Sequence, residues 1–206
     1  MQVQLDLYNS GKHPDNDADT IQTIKMVTEQ NERLSKMVKT LLDMSELQTV
    51  GRDETIIVNA LVDEVLADLE PLAQEKNIKL IGKCKDVNMV GSDILIYRLV
   101  YNLVENAIKY NHSGGQVSVE AYQREKQVYL SVKDTGNGIP EELKERVFEP
   151  FFRVDKSRSR ELGGVGLGLA LVNEIVRVHD GSIAIRPNPS GGTIIEVEFA
   201  VNRTTA

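Results

Sequence analysis

The sequence predicts an α+β two-layer sandwich, with helices covering one face of a mixed sheet and one long helix in front of it. Three observations carry this. QVSVEAYQ and QVYLSVKD alternate strongly across a polar turn at Arg124–Lys126, the pattern of paired antiparallel strands. Asp93 to Tyr110 repeats Ile96, Leu99, Val100, Leu103, Val104 and Ala107 at helical spacing. Strands and helices segregate along the chain instead of strictly alternating, which argues against a doubly wound parallel sheet.

The remaining elements follow in order. MQVQLDLYNSGKHPDNDAD ends in a patch of Gly, Pro and Asp that does not continue a helix. Thr20 to about Gln48 lacks Gly and Pro, and Val27, Leu34 and Leu41 recur every seven residues, with Met37 and Met44 three after the last two. That is an a/d seam, broken by Gln30 and widened by Val38. It suits a core helix or one arm of a helical bundle. TVGRDE reads as a polar hinge and TIIVN as a strand. Asn59 is placed to cap a helix through LVDEVLADLEPLAQEKN, with Pro71 inside it. IKLIGKC is a strand, Leu169 to His179 a helix, and SIAIRP with TIIEVEFAV a hairpin across NPSGG.

Composition narrows the function. The 206 residues, 41% hydrophobic, suffice for one core with an appendage or for two small domains. A net charge of −7 argues against a large nucleic-acid footprint but leaves room for a small phosphate ligand held by a few local cations. The single Cys84 excludes an intrachain disulfide and suits a buried small apolar residue. No apolar run approaches the roughly 18 residues of a membrane span.

Four short segments carry chemistry. NLVENAIKYN places Asn102, Asn106 and Lys109 on one helix face at spacings of four and three. Two carboxamides and one ammonium suit an anion with a metal, since a carboxamide oxygen is a hard neutral ligand and Lys a point charge for phosphate. DTGNGIP puts Asp134, an acceptor, at a strand end, with Gly136 and Gly138 after it. FEPFFRVD gathers three of the four Phe residues beside Arg153; such a cluster ordinarily means core packing, whereas the Arg can grip a phosphate bidentately. GGVGLGLALVNEIV sets Gly164, Gly166 and Gly168 before a helix, where backbone N–H groups can face a phosphate. The glycine spacing is neither the Rossmann nor the Walker pattern.

Together and in this order, the four segments resemble the N box, the first glycine box, the F box and the second glycine box of sensor histidine kinases, within the GHKL superfamily. The resemblance covers roughly residues 54–201. It implies the two-layer GHKL fold, ATP and Mg²⁺ as ligands, and roles for matching residues. Asn106 would bind Mg²⁺ with Asn102 nearby. Lys109 and Arg153 would meet phosphates, and Tyr110 would lie against the nucleotide. Asp134 would accept a hydrogen bond from the adenine amino group, with Gly136 and Gly138 shaping its pocket and Thr193 close by. Gly164, Gly166 and Gly168 would form the hinge of an ATP lid. ATP-hydrolysing superfamily members carry a Glu one turn before the metal-binding Asn; here that position is Asn102, which cannot serve as a general base.

The resemblance extends to the long helix, which is similar to the second helix of the family's dimerisation and phosphotransfer domain. It implies two domains: residues 1–50, part of a helical hairpin from a two-chain four-helix bundle, and residues 51–206, the ATP-binding domain. The whole protein would be a homodimer anchored in a bacterial membrane. It would autophosphorylate a His and pass the phosphoryl group to an Asp of a response-regulator receiver domain. The family's acceptor-His segment is missing: His13 precedes Pro14 in a turn, His112 follows the N box, and His179 reads as a helix C-terminal residue favourable to the dipole. MQVQLDLYNS is therefore expected to be the tail of the first bundle helix, and the chain a cytoplasmic piece unable to autophosphorylate alone. A nucleotide-binding regulatory module without transfer, and an ATPase, are the competing functional classes.

Overall fold

The structure is a computed structural model that describes residues 17–154 and 165–201. The tail MQVQLDLYNS, His13 and Gly164 lie outside the described residues. The chain divides into two compact units, residues 1–39 and 40–206. In the first, the described residues belong to helix α1 (Asp17–Glu46), whose Ile21, Ile24, Val27, Leu34 and Val38 are exposed.

The second unit holds a five-stranded sheet. Its strands are β2 (Lys79–Cys84), β4 (Gln116–Arg124), β5 (Gln127–Asp134), β6 (Ser182–Pro187) and β7 (Thr193–Ala200), in the order β2-β4-β5-β7-β6. The β2–β4 pair is parallel and the others antiparallel, so the sheet is mixed. Helices α2 (Val58–Glu75), α3 (Asp93–Lys109) and α4 (Gly168–Val178) form the second layer, with α3 between the other two. Alternation predicts the buried face well. Val117, Val119 and Ala121 of β4, Val128, Leu130 and Val132 of β5, and Ile195, Val197 and Phe199 of β7 all enter the core. From α3, Leu95, Leu99, Leu103 and Ile108 meet them.

Three local readings differ from the structure. First, β3 (Asn88–Gly91) pairs antiparallel with β1 (Glu54–Ile57) as a separate ribbon that the sequence did not announce. Its four residues are too few to show a period, although Val87 and Met89 are buried. Second, Asn59 is not the cap of α2, because the helix begins one residue earlier at Val58, and Asn59 Nδ2 instead donates to Asp86 Oδ1 at 3.3 Å. Third, His179 does end α4, but as a buried strut and not as a surface cation. The Ser92 N–H donates to its Nε2 at 3.1 Å, and its Nδ1 lies 2.8 Å from the Ile175 carbonyl. These contacts select the neutral imidazole protonated on Nδ1. They tie the end of α4 to the start of α3, where the Asp93 N–H donates to Glu54 Oε2. Pro71 leaves α2 continuous.

The segment read as a hinge is held in place. Leu47 is 2% exposed within the core, and Arg52 Nη1 donates to the Leu47 carbonyl at 3.0 Å. Asp43, in the last turns of α1, pairs with Arg98 of α3 at 2.8 Å.

Candidate nucleotide site

The site grows from the C-terminal half of α3 and from the loops that meet it. Asn102, Asn106 and Lys109 share a face of α3 because 3.6 residues make a turn. Asn102 Nδ2 donates back to the Arg98 carbonyl at 2.7 Å, which orients the side chain. A Cβ on Gly168, the first residue of α4, would lie 3.0 Å from Asn102 Oδ1 and 3.5 Å from Asn106 Nδ2. The absence of a side chain at Gly168 lets the start of α4 approach both carboxamides without displacing Asn102. Lys109 is ion-paired with Glu105 at 2.7 Å, and both side chains are largely buried. The Lys109 charge is thus already partnered within α3, and Glu105, a residue not anticipated as part of the site, sets the competition any phosphate would face.

Asp134 ends β5. Its Oδ1 accepts from the Gly136 N–H at 2.8 Å and the Thr193 N–H at 3.2 Å. Burial pushes its carboxyl above the ordinary 3.8, with the two N–H donors pulling the other way. Among the described residues Oδ2 accepts no hydrogen bond, so this oxygen is available to an incoming donor. Asn188 Nδ2 fixes the Asp134 carbonyl at 2.7 Å. Gly192 makes the cradle possible. At φ +87° it occupies left-handed backbone, and a Cβ there would sit 2.3 Å from the Asp134 carbonyl oxygen and 2.4 Å from Oδ1. Neither Gly192 nor Asn188 was anticipated from sequence as part of the site, although the pair of glycines before Thr193 was a usable signal. Gly138, at φ +74°, faces the Gly192 carbonyl.

Tyr110 joins the two halves. Its N–H continues α3 onto the Asn106 carbonyl, and its own carbonyl receives the N–H and Nδ2 of Asn137. A Cβ on Gly136 would lie 2.5 Å from that carbonyl. Tyr110 itself is exposed.

A third cluster flanks the residues 155–164 that are not described. The Phe151 N–H donates to the Gly166 carbonyl at 2.8 Å, stapling the segment before them to the segment after. Gly166, at φ +81°, has the Phe152 carbonyl 2.7 Å from where a Cβ would be. The three Phe residues here do not form core: Phe151 is 51% exposed, and Phe148 and Phe152 are half-buried, the latter under Arg146. Arg153 follows, half-buried. The structure thus joins Asn102, Asn106 and Gly168 in one cluster and Asp134, Gly136, Gly138 and Thr193 in another, linked through Tyr110. It keeps Arg153 and Gly166 in the third.

The profile of the histidine kinase-, DNA gyrase B- and HSP90-like ATPases matches residues 91–203, more than half of the sequence and all three clusters. The chain belongs to that family. SenX3, a sensor-like histidine kinase of Mycolicibacterium smegmatis, is 36% identical over 183 residues, covering 86% of this chain and 47% of that protein. WalK, a sensor histidine kinase of Bacillus subtilis, is 35% identical over 82% of this chain and 29% of its own length. The chain therefore spans half or less of these relatives. Among solved structures, the nucleotide-free catalytic domain of the histidine kinase ThkA superposes with a TM-score of 0.66 at 27% identity, over 74% of this chain and 97% of that one. ThkA in complex with the response regulator protein TrrA gives a TM-score of 0.75 at 26% identity, over 95% of this chain and 55% of that one. The expected GHKL fold and the likeness to sensor histidine kinases are borne out, with one long helix ahead of the sandwich. No helix of the described residues is long and apolar enough to cross a membrane.

Proposed function

We propose that this chain is the ATP-binding catalytic portion of a sensor histidine kinase. It binds Mg²⁺-ATP and donates the γ-phosphoryl group to a His of the bundle, for relay to an Asp of a response-regulator receiver domain. One observation carries the reading. The half-buried carboxylate of Asp134, with one oxygen held by two backbone N–H groups and the other available, is linked through Tyr110 to the Asn102–Asn106–Lys109 face of α3. That arrangement suits a ligand with an amino-bearing base at one end and phosphates at the other.

The residues fit the group. Asp134 and Thr193 would receive adenine, in a turn shaped by Gly136 and Gly138. Asn106 would offer a neutral oxygen to Mg²⁺, with Asn102 beside it. Lys109 and Arg153 would meet phosphate charge, Tyr110 would flank the nucleotide, and Gly164, Gly166 and Gly168 would serve the lid. Bound Mg²⁺ supplies charge neutralisation at the phosphates. Asn102 occupies the turn before Asn106 and cannot activate water, and Glu105 is engaged by Lys109, which favours transfer over hydrolysis. Residues 1–50 would contribute to a dimeric bundle and residues 51–206 the catalytic domain, within a larger membrane-anchored protein. The ThkA–TrrA complex supports a receiver-domain partner.

The test mixes the chain with labelled ATP, Mg²⁺ and a bundle fragment carrying an acceptor His. Acid-labile label on the fragment is the expected result. Binding without transfer would make the chain a regulatory nucleotide module, and steady phosphate release without labelled His would make it an ATPase.

A further inference from the structure

Asn111, the last residue of NLVENAIKYN, sits just past α3, and its side-chain hydrogen bonds go neither to Asp134 nor to the carboxamides of α3. Its side chain nevertheless meets three segments. Oδ1 accepts from the His112 N–H at 3.0 Å and from Thr135 Oγ1 at 3.2 Å, and Nδ2 donates to the Gln116 carbonyl at 3.1 Å. The amide orientation is forced: turning it over would set its NH2 against the His112 N–H, donor to donor. Thr135 completes the circuit. Its hydroxyl accepts the Gln116 N–H at 2.9 Å, and its own N–H donates to the Gln116 carbonyl at 3.2 Å. Gly115 gives the carboxamide its room, since a Cβ there would lie 2.2 Å from Asn111 Oδ1.

Thr135 lies between Asp134 and Gly136, the residue that carries the proposed base acceptor and the residue that holds it. We propose that Asn111 is a positioning residue of the nucleotide site. It locks the Asp134–Thr135–Gly136 turn to the end of α3, so that the base-recognising carboxylate and the Asn106–Lys109 wall keep one spacing. The reading deepens the proposed function and rests on it. Asn111 contributes geometry through Thr135. It is not expected to touch the ligand, so its removal degrades discrimination between bases along with affinity.

The experiment uses Asn111→Ala, Thr135→Val and the double variant, with two readouts. Calorimetry with ATP and GTP gives affinity and base discrimination. Hydrogen exchange of the Gly136 amide, measured without nucleotide, reports whether the turn is held. Each single variant is expected to weaken ATP by about tenfold, the size of the Asn111–Thr135 hydrogen bond that both lose. GTP binding should change less, so the ATP-over-GTP preference falls. The double variant should weaken ATP by less than the two single effects combined, because the Asn111–Thr135 hydrogen bond is lost in each single variant. Gly136 exchange should accelerate in both single variants. Unchanged ATP affinity and preference in folded variants, or unchanged Gly136 exchange, overturns the assignment. If Asn111→Ala fails to fold, Thr135→Val, nearly isosteric, decides alone. Wild-type chain that binds no ATP would defeat the nucleotide reading instead, while the exchange measurement would still test the lock.

Discussion

At the residue scale, the site depends on how little room surrounds Asp134. Its carboxylate is desolvated, which raises its pKa in the folded chain above the ordinary 3.8. A raised carboxyl pKa means that the folded state prefers the protonated form. The associated stability is fully present below about 3.8 and is lost as pH rises through the higher folded value. At neutral pH the ionised group therefore costs stability relative to the protonated one, a cost that the proposed contact with the base would account for. Asp134→Asn can retain an oxygen for the Gly136 and Thr193 N–H groups while removing the charge. It should abolish ATP binding in calorimetry yet leave the nucleotide-free melting temperature unchanged or raised at pH 7. That gap from wild type should close as pH falls through the carboxyl titration. A lower melting temperature at neutral pH, or retained ATP affinity, would contradict the assignment. Asn106 and Asp134 were legible in the sequence as candidates because short motifs announce side-chain chemistry. Gly192 and Asn188 were not, since they act through backbone approach and a carbonyl contact fifty-four residues away in the chain, and no local period records such a contact.

At the element scale, the last turns of α1 belong to the core they adjoin. Leu47 is buried, Met44 and Val50 pack against the same cluster, and Arg52 and Arg98 hold the segment by its carbonyl and by Asp43. A polar stretch with a glycine looked like a hinge because composition registers propensity, whereas Leu47 acts through burial against residues distant in sequence. Leu47→Ala should cost about 2–5 kcal/mol. For a chain of this size that lowers the melting temperature by roughly 2–4 °C per kcal/mol. Arg98→Ala, which breaks a part-exposed pair, should cost about 1 kcal/mol or less. Thermal denaturation of the two variants distinguishes a docked segment from a loose one, and equal, negligible shifts would favour the loose reading. The sheet was more legible than β3: strands of eight or nine residues display a period of two, and the four residues of β3 do not.

At the scale of the whole molecule, element order alone conveyed the sandwich, since segregated helices and strands leave few layer arrangements that bury every apolar face. The division at residue 40 was less legible, because a continuous helix crosses it without a break in propensity. The exposed stripe of α1, with Val27 at 47% and Leu34 at 58%, is more apolar surface than a lone helix ordinarily leaves to water. Covering by a second copy fits the proposed bundle. Sedimentation should show concentration-dependent association of the chain, and Leu34→Glu should shift it towards monomer without altering ATP affinity. A monomer at every concentration would place the stripe's partner elsewhere.

The Phe151–Gly166 hydrogen bond also bears on how such chains diverge. Two backbone atoms already held together form a fixed neck, and for flexible chain lengthening what joins them is cheap, about 0.6 kcal/mol for each doubling of length. Insertions and deletions between these residues therefore spare the sandwich, whereas a side chain added at Gly166 strikes the neck itself. Related sequences are expected to vary in length here and keep a residue without Cβ at its edge.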